Sequence, residues 1–206
     1  AANTLIGLAK KDATLFDTDA IKEKEQALKL AKHKIFSAKT IRTKRKYRQL
    51  VKDLRHELAN MMEKTGAVGC EEARQLASWD MFDQNASSSF FDPQWMFDVK
   101  EGFDIVIANP PYVLLQNSDI SIETQNNLKE TYCVAQYKVD LYHLFIERGG
   151  KLLDKNGFLC YITSSTFLTN TYTEKLRQFM LDGFSVSFIV NIEDSVFEAC
   201  VNTCII

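Results

Sequence analysis

The run Phe103-Asp104-Ile105-Val106-Ile107-Ala108, followed directly by Asn109-Pro110-Pro111-Tyr112, constrains this chain more than any other stretch. An apolar, β-branched run reads as a buried strand. Two consecutive prolines cannot prolong it, because they remove two backbone donors and fix two φ angles. The strand therefore ends at Asn109 and opens into a rigid turn. The turn holds a carboxamide, free carbonyls and the ring of Tyr112 at one corner. Such a corner suits a planar group that bears an NH2. The Asn109 oxygen and a backbone carbonyl accept its two hydrogens while the ring stacks on its face. Two acceptors return electron density to a nitrogen whose lone pair is delocalised. They also stabilise the charge that develops as it attacks an electrophilic methyl group.

The sequence after this corner alternates. Strands are expected at 103–108, 157–163, 184–192 and 201–206, with helices near 139–153 and 172–182. Gly149-Gly150 and Asn156-Gly157 read as helix-to-strand turns. This order implies an α/β fold with a mostly parallel, doubly wound sheet. Ligands bind such sheets outside the carboxyl ends of their strands, where Asn109 would sit.

The sequence before the corner differs. Residues 19–64 contain no Gly or Pro and are expected to be helical, either as one rod or as a hairpin broken near 37–43. Leu28, Ala31, Ile35 and Ala38 recur at helical spacing, as do Leu50, Leu54, Leu58 and Met61. A helix is also expected to start at Glu71. The net charge of −2 hides a polarity. Residues 20–64 hold 14 Lys/Arg and 5 Asp/Glu, so of the 25 and 27 in the whole chain the remainder holds 11 and 22. A basic arm is joined to an acidic body. A basic surface of this kind can contact phosphates without reading sequence.

Five cysteines at 70, 133, 160, 200 and 204 form no CxxC pair and read as reduced thiols, with no metal site expected. No apolar run reaches membrane-spanning length and no secretory signal is present, so a cytoplasmic protein is expected. The chain does not begin with Met, and both ends fall in apolar segments. A piece of a longer protein is therefore expected.

The Asn109-Pro110-Pro111-Tyr112 segment resembles the catalytic motif of S-adenosylmethionine-dependent DNA adenine-N6 methyltransferases. Trp79 to Gln84 and Phe90 to Phe97 make the wider chain similar to the Eco57I-type methylases of restriction–modification systems. The resemblance runs from the first residues through Phe197. It implies the C-terminal half of a Rossmann-like methyltransferase sheet with an inserted basic arm. Residues 1–17 would be an edge segment of that domain, 18–66 the helical insertion and 67–206 the catalytic half. It also implies a type II, IIG-like enzyme acting on double-stranded DNA.

Residue by residue, the resemblance makes Asn109, Pro110 and Tyr112 catalytic. Asn109, Pro111 and Phe145 would contact S-adenosylmethionine, with Lys138 and Asp140 at the pocket rim. Ser164-Ser165-Thr166-Phe167-Leu168 would form the wall of the target-base pocket. Tyr112 and Phe197 would sandwich an extruded adenine. His143 receives no role. No Gly-x-Gly follows a strand here. The loop that completes the cofactor site is therefore expected upstream of Ala1, and a target-recognition domain downstream of Ile206. Two other readings remain open. One is a protein-glutamine amide methyltransferase, which holds the same NH2 group. The other is a non-catalytic DNA-binding or specificity component.

Overall fold

Helix-forming residues without a breaker coil as far as a local stop allows. The basic arm does so as α1 (Asp19–Ser37) and α2 (Ile41–Lys64) in a computed structural model that describes residues 1–8, 19–83, 85–192 and 202–206. Thr40 sets the break. Its backbone is extended and its Oγ1 accepts a hydrogen bond from the Thr43 N–H at 3.1 Å, capping α2. The two helices pack through Leu28, Ala31 and Ile35 on α1 and Val51, Leu54, Leu58, Ala59 and Met62 on α2. The buried stripe of α2 thus runs through Val51 and Met62 rather than Leu50 and Met61. Leu50 is exposed. Spacing alone fits both stripes, and packing against α1 selects one.

Further along, α3 (Cys70–Ser78) and α4 (Pro93–Phe97) close this core with Leu76, Trp79, Phe90, Trp95 and Met96. The first residues of the chain join it too, since the Phe91 N–H donates to the Ile6 carbonyl at 2.8 Å. Lys32 is buried and donates to the carbonyls of Trp95 at 2.9 Å and Met96 at 3.4 Å. Burial, aided by the nearby Arg55 charge, pulls its ammonium down to about 8. The compact unit is Ala1–Asp98, within which residues of the 67–98 stretch share a core with the helical arm.

The second unit, Val99–Ile206, is a sheet with helices. Its strands are β1 (Phe103–Ala108), β2 (Leu153–Ser164), β3 (Val190–Ile192) and β4 (Thr203–Ile205), in the order β1-β2-β4-β3. The α/β layering follows the sequence pattern, but the pairing is mixed. β1 and β2 are parallel, whereas β4 runs antiparallel to both β2 and β3. Between α5 (Ile122–Thr131) and α7 (Glu174–Gly183) lies α6 (Leu141–Leu152), which runs into β2 without a loop. Gly149-Gly150 therefore sits inside α6, not at a turn. A Cβ on Gly149 would lie 2.3 Å from the Tyr161 hydroxyl, so the glycine lets α6 approach β2 closely. Asn156-Gly157 falls where the β1–β2 register shifts, and a Cβ on Gly157 would lie 2.7 Å from the Phe103 carbonyl.

Side chains alternate across the sheet. Leu159 and Tyr161 face α6, while Ile105, Ile107 and Phe158 face the other way. Ile107 is 74% exposed and Phe158 70%. The expectation that β1 is buried is not met: Val106 and Ala108 are half-buried on one face, and no described residue covers Ile105 and Ile107 on the other. Among the described residues, no helix is long and apolar enough to cross a membrane and no side-chain cluster is placed to hold a metal ion.

Candidate functional site

β1 delivers Asn109 at its carboxyl end, and the prolines turn the chain there as their geometry requires. Asn109 and Pro111 are exposed, Pro110 is buried and Tyr112 is half-buried. The Tyr112 hydroxyl lies 2.9 Å from Asn109 Oδ1 and 3.0 Å from the Ile162 carbonyl of β2. A hydroxyl has one hydrogen, so it donates to one of these acceptors at a time. Burial, aided by nearby Cys204, pushes the Tyr112 phenol above its usual range, and it stays protonated at neutral pH. Among the described residues, no protein donor reaches the Pro110 carbonyl. The Pro110 carbonyl is thus without a protein donor, one residue along the chain from the Asn109 carboxamide.

Backbone hydrogen bonds join this corner to the segment around Lys138 and Asp140. The Leu115 N–H donates to the Val139 carbonyl at 2.8 Å, and the Leu141 N–H to the Val113 carbonyl at 2.9 Å. The segment leaving Tyr112 is thereby laced to the segment entering α6. The first turn of α6 places Tyr142, 1% exposed, beneath Tyr112, with ring centroids 6.3 Å apart and planes at 90°. Edge-to-face contact of this kind fixes ring orientation. The Tyr142 hydroxyl lies 3.2 Å from Thr166 Oγ1, which lies 2.9 Å from Ser164 Oγ. The expected wall residues thus support Tyr142 from below. Burial pushes the Tyr142 phenol up to about 12, so it too stays protonated.

The other predicted residues take varied places. Phe145 is half-buried on α6, one turn beyond Leu141. Asp140 is half-exposed at the start of α6, and burial raises its carboxyl above the usual range. Lys138 is exposed, 5.9 Å from the Tyr137 ring centroid. Phe197 lies outside the described residues. His143 is buried. Its Nδ1 accepts from the Asp140 N–H at 3.3 Å, so the ring proton resides on Nε2, which has no described partner.

Sequence reasoning overlooked Tyr137 and Tyr172. Their rings lie 4.9 Å apart, and both are at least half exposed. Tyr137 also has φ 37°, a left-handed backbone that an aromatic residue adopts at a cost of about 1–3 kcal/mol. No spacing rule finds this pair, because the two residues come from separate loops. Glu147 was overlooked as well. It is fully buried on α6 and accepts from the Val134 N–H at 2.9 Å, from Cys133 Sγ at 3.3 Å and from Lys151 Nζ at 2.5 Å. Burial pushes its carboxyl up, but these donors together hold it below its usual range. It ties the 132–134 turn to the helix that carries Tyr142.

The model of the Eco57I restriction-modification methylase family matches residues 19–197. The type II methyltransferase M.BstVI of Geobacillus stearothermophilus is 36% identical over 107 residues, 50% of this chain and 19% of that protein. The type II methyltransferase M.BanIII of Aneurinibacillus aneurinilyticus is 32% identical over 116 residues, 56% of this chain and 19% of that protein. The type II restriction enzyme and methyltransferase RM.Eco57I of Escherichia coli is 31% identical over 90 residues, 43% of this chain and 9% of that protein. The chain spans a fifth or less of the length of these relatives. With the family match covering most of its residues, the chain belongs to the Eco57I restriction-modification methylases.

Proposed function

We propose that this chain is the catalytic half of a DNA methyltransferase that modifies N6 of an adenine extruded from double-stranded DNA, within a type II restriction–modification enzyme. The supporting observation is the corner at the end of β1. Asn109 Oδ1 lies 2.9 Å from the Tyr112 hydroxyl, the Pro110 carbonyl meets no donor among the described residues, and Tyr142 packs edge-on against the Tyr112 ring. S-adenosylmethionine, when bound, supplies an electrophilic methyl group. The donor set fits it in part: Asn109, Pro111 and Phe145 would line its methyl and adenosyl side. A glycine-rich loop to hold its methionine part is not among these 206 residues. That loop, and a target-recognition domain, would come from elsewhere in the parent chain. A methylase acting on cellular DNA would work in the cytoplasm.

The chain's own residues would act as follows. Asn109 Oδ1 and the Pro110 carbonyl accept the two amine hydrogens and orient the nitrogen lone pair. Their fixed dipoles stabilise the positive charge that grows on nitrogen. Tyr112 stacks on the adenine and offsets part of the unpairing cost, with Phe197 closing the other side. The methylated amine then loses a proton to water.

The test is methyl transfer by the full-length parent from labelled S-adenosylmethionine to unmethylated DNA, with nucleoside analysis of the product. N6-methyladenine that disappears in Asn109→Ala supports the reading. Label on protein glutamine instead of DNA moves the assignment to amide methylation. A parent that binds no cofactor removes catalysis altogether.

A further inference from the structure

The charge of the helical arm is concentrated in one place. Residues 29–48 hold nine Lys/Arg (Lys29, Lys32, Lys34, Lys39, Arg42, Lys44, Arg45, Lys46 and Arg48) and no Asp or Glu. The flanking parts are balanced. Residues 19–28 hold Lys22 and Lys24 against Asp19, Glu23 and Glu25, and residues 49–64 hold Lys52, Arg55 and Lys64 against Asp53, Glu57 and Glu63. The excess therefore sits at the tip of the α1–α2 hairpin. Two of the nine are engaged by oxygen acceptors, and two others lie over aromatic rings, Lys34 over Tyr47 at 5.6 Å and Arg48 over Phe82 at 4.9 Å. Lys29 pairs with Asp98 at 2.7 Å, and Lys32 is buried against backbone carbonyls. The other seven are exposed, and none pairs with a carboxylate among the described residues.

A helix that is merely solvated alternates its charges or pairs them three and four residues apart. Here the positions three and four after Arg42 are Arg45 and Lys46, and four after Lys44 is Arg48. These like charges repel; Arg48 gains the Phe82 ring in return, whereas Arg42, Lys44, Arg45 and Lys46 have no offsetting contact among the described residues. The apolar side of α2 is buried against α1, and the apolar side chains left exposed among the described residues of the hairpin, Leu30, Phe36, Ile41 and Leu50, form no continuous stripe for a lipid surface, since Ile41 and Leu50 fall on opposite sides of α2. Charge density favours a linear polyanion. Arg42 to Arg48 spans about 9 Å of helix. Duplex DNA carries one charge per roughly 1.7 Å of axis, so about five phosphates face that length.

We propose that the tip of the α1–α2 hairpin, centred on Arg42, Arg45 and Lys46, binds the phosphate backbone of duplex DNA. The choice of DNA over another polyanion rests on the methylase reading; the cationic surface does not. Contacts of this kind hold the duplex without reading its sequence.

The experiment measures anisotropy of a short labelled DNA duplex with the 206-residue chain across a potassium chloride series, without cofactor. The variant is Arg42→Gln/Arg45→Gln/Lys46→Gln. The control is Lys129→Gln/Lys155→Gln, at exposed positions of the second unit. The triple variant is expected to bind at least tenfold more weakly at low salt. Its plot of log affinity against log salt should flatten by about 2 to 3, near 0.9 per lost phosphate contact. The control should match the parent. A triple variant with the parent's slope overturns the proposal, as does the absence of DNA binding. Stronger binding to duplex RNA or to phosphatidylserine vesicles than to DNA overturns it as well. Methyl transfer is scored separately in the full-length parent. Tip-dependent DNA binding without methyl transfer removes the methylase reading and leaves this surface. Methyl transfer with tip-independent binding does the reverse.

Discussion

The hydroxyl of Tyr112 lies 2.9 Å from Oδ1 of Asn109, so the corner satisfies its carboxamide acceptor with its own aromatic residue. An incoming amine must take that place. The exchange costs little, because the same hydroxyl has a second acceptor, the Ile162 carbonyl, 3.0 Å away. Rotation of one O–H therefore frees Asn109 for substrate.

This exchange separates the two jobs of Tyr112. Tyr112→Phe keeps the stacking face and loses only the placeholder hydrogen bond, worth about 1 kcal/mol. Its kcat/KM on unmethylated DNA should stay within about fivefold of the parent. Tyr112→Ala loses the stack, about 1–3 kcal/mol, and should fall by about tenfold to a hundredfold. A Phe variant as impaired as the Ala variant would show that the hydroxyl, not the ring, carries the function.

Tyr142 never reaches a substrate in this reading; it is a positioning residue. Its ring supports Tyr112 at right angles, and its hydroxyl leans on Thr166. Tyr142→Phe keeps the ring and should retain nearly full methylation. Tyr142→Leu removes the support. It should raise KM for DNA more than it lowers kcat and weaken the fluorescence change of a 2-aminopurine placed at the target. Equal loss in both variants would assign the role to the hydroxyl chain instead.

Gly149 tests the packing that sets α6 on the sheet. Adding a methyl group drives it into the Tyr161 hydroxyl. Overpacking costs about 1–3 kcal/mol, while the gain in helix propensity returns up to about 1 kcal/mol. Gly149→Ala should therefore lower the denaturation midpoint. Gly183→Ala, where nothing lies within 4 Å of the added atom, should leave it unchanged or raise it slightly. Equal midpoints for the two variants would contradict the close approach of α6.

Much of this was legible in the sequence. The β1 strand, its Pro-Pro stop and the paired helices of the arm follow from local rules, because proline geometry and helix propensity act within a few residues. Leu54 and Leu58 of α2 are buried as expected, but the ends of the stripe were misplaced by one residue, since Leu50 and Val51 are equally apolar and only packing against α1 chooses between them. Gly149 was taken for a turn because a glycine that permits close approach looks the same in sequence as one that ends a helix. The antiparallel β4 was hidden for a similar reason: strand direction is a property of pairing, not of composition. The lacing of Val113–Leu115 to Val139–Leu141 joins residues about 25 positions apart, and no periodicity announces it.

His143 carries the pH prediction. Burial pulls its imidazole from 6.5 down to about 4, so it is neutral in the folded chain at neutral pH. Between those two values the unfolded chain binds a proton that the folded chain refuses. Stability must then rise with pH across that window and fall as the solution is acidified. Two and a half pKa units set an upper limit of roughly 3 kcal/mol on the loss. Glu147 acts in the same direction at lower pH, since a carboxyl held below its usual range loses its contribution only as pH falls through its folded value. The windows separate the two groups. In urea denaturation of the 206-residue chain between about pH 3 and 7, His143→Gln should flatten the slope of stability against pH near pH 5 to 6.5. The acid limb from Glu147 should remain. A variant that keeps the parent's full slope would place the titrating group elsewhere and show that His143 is not the buried neutral imidazole that starts α6.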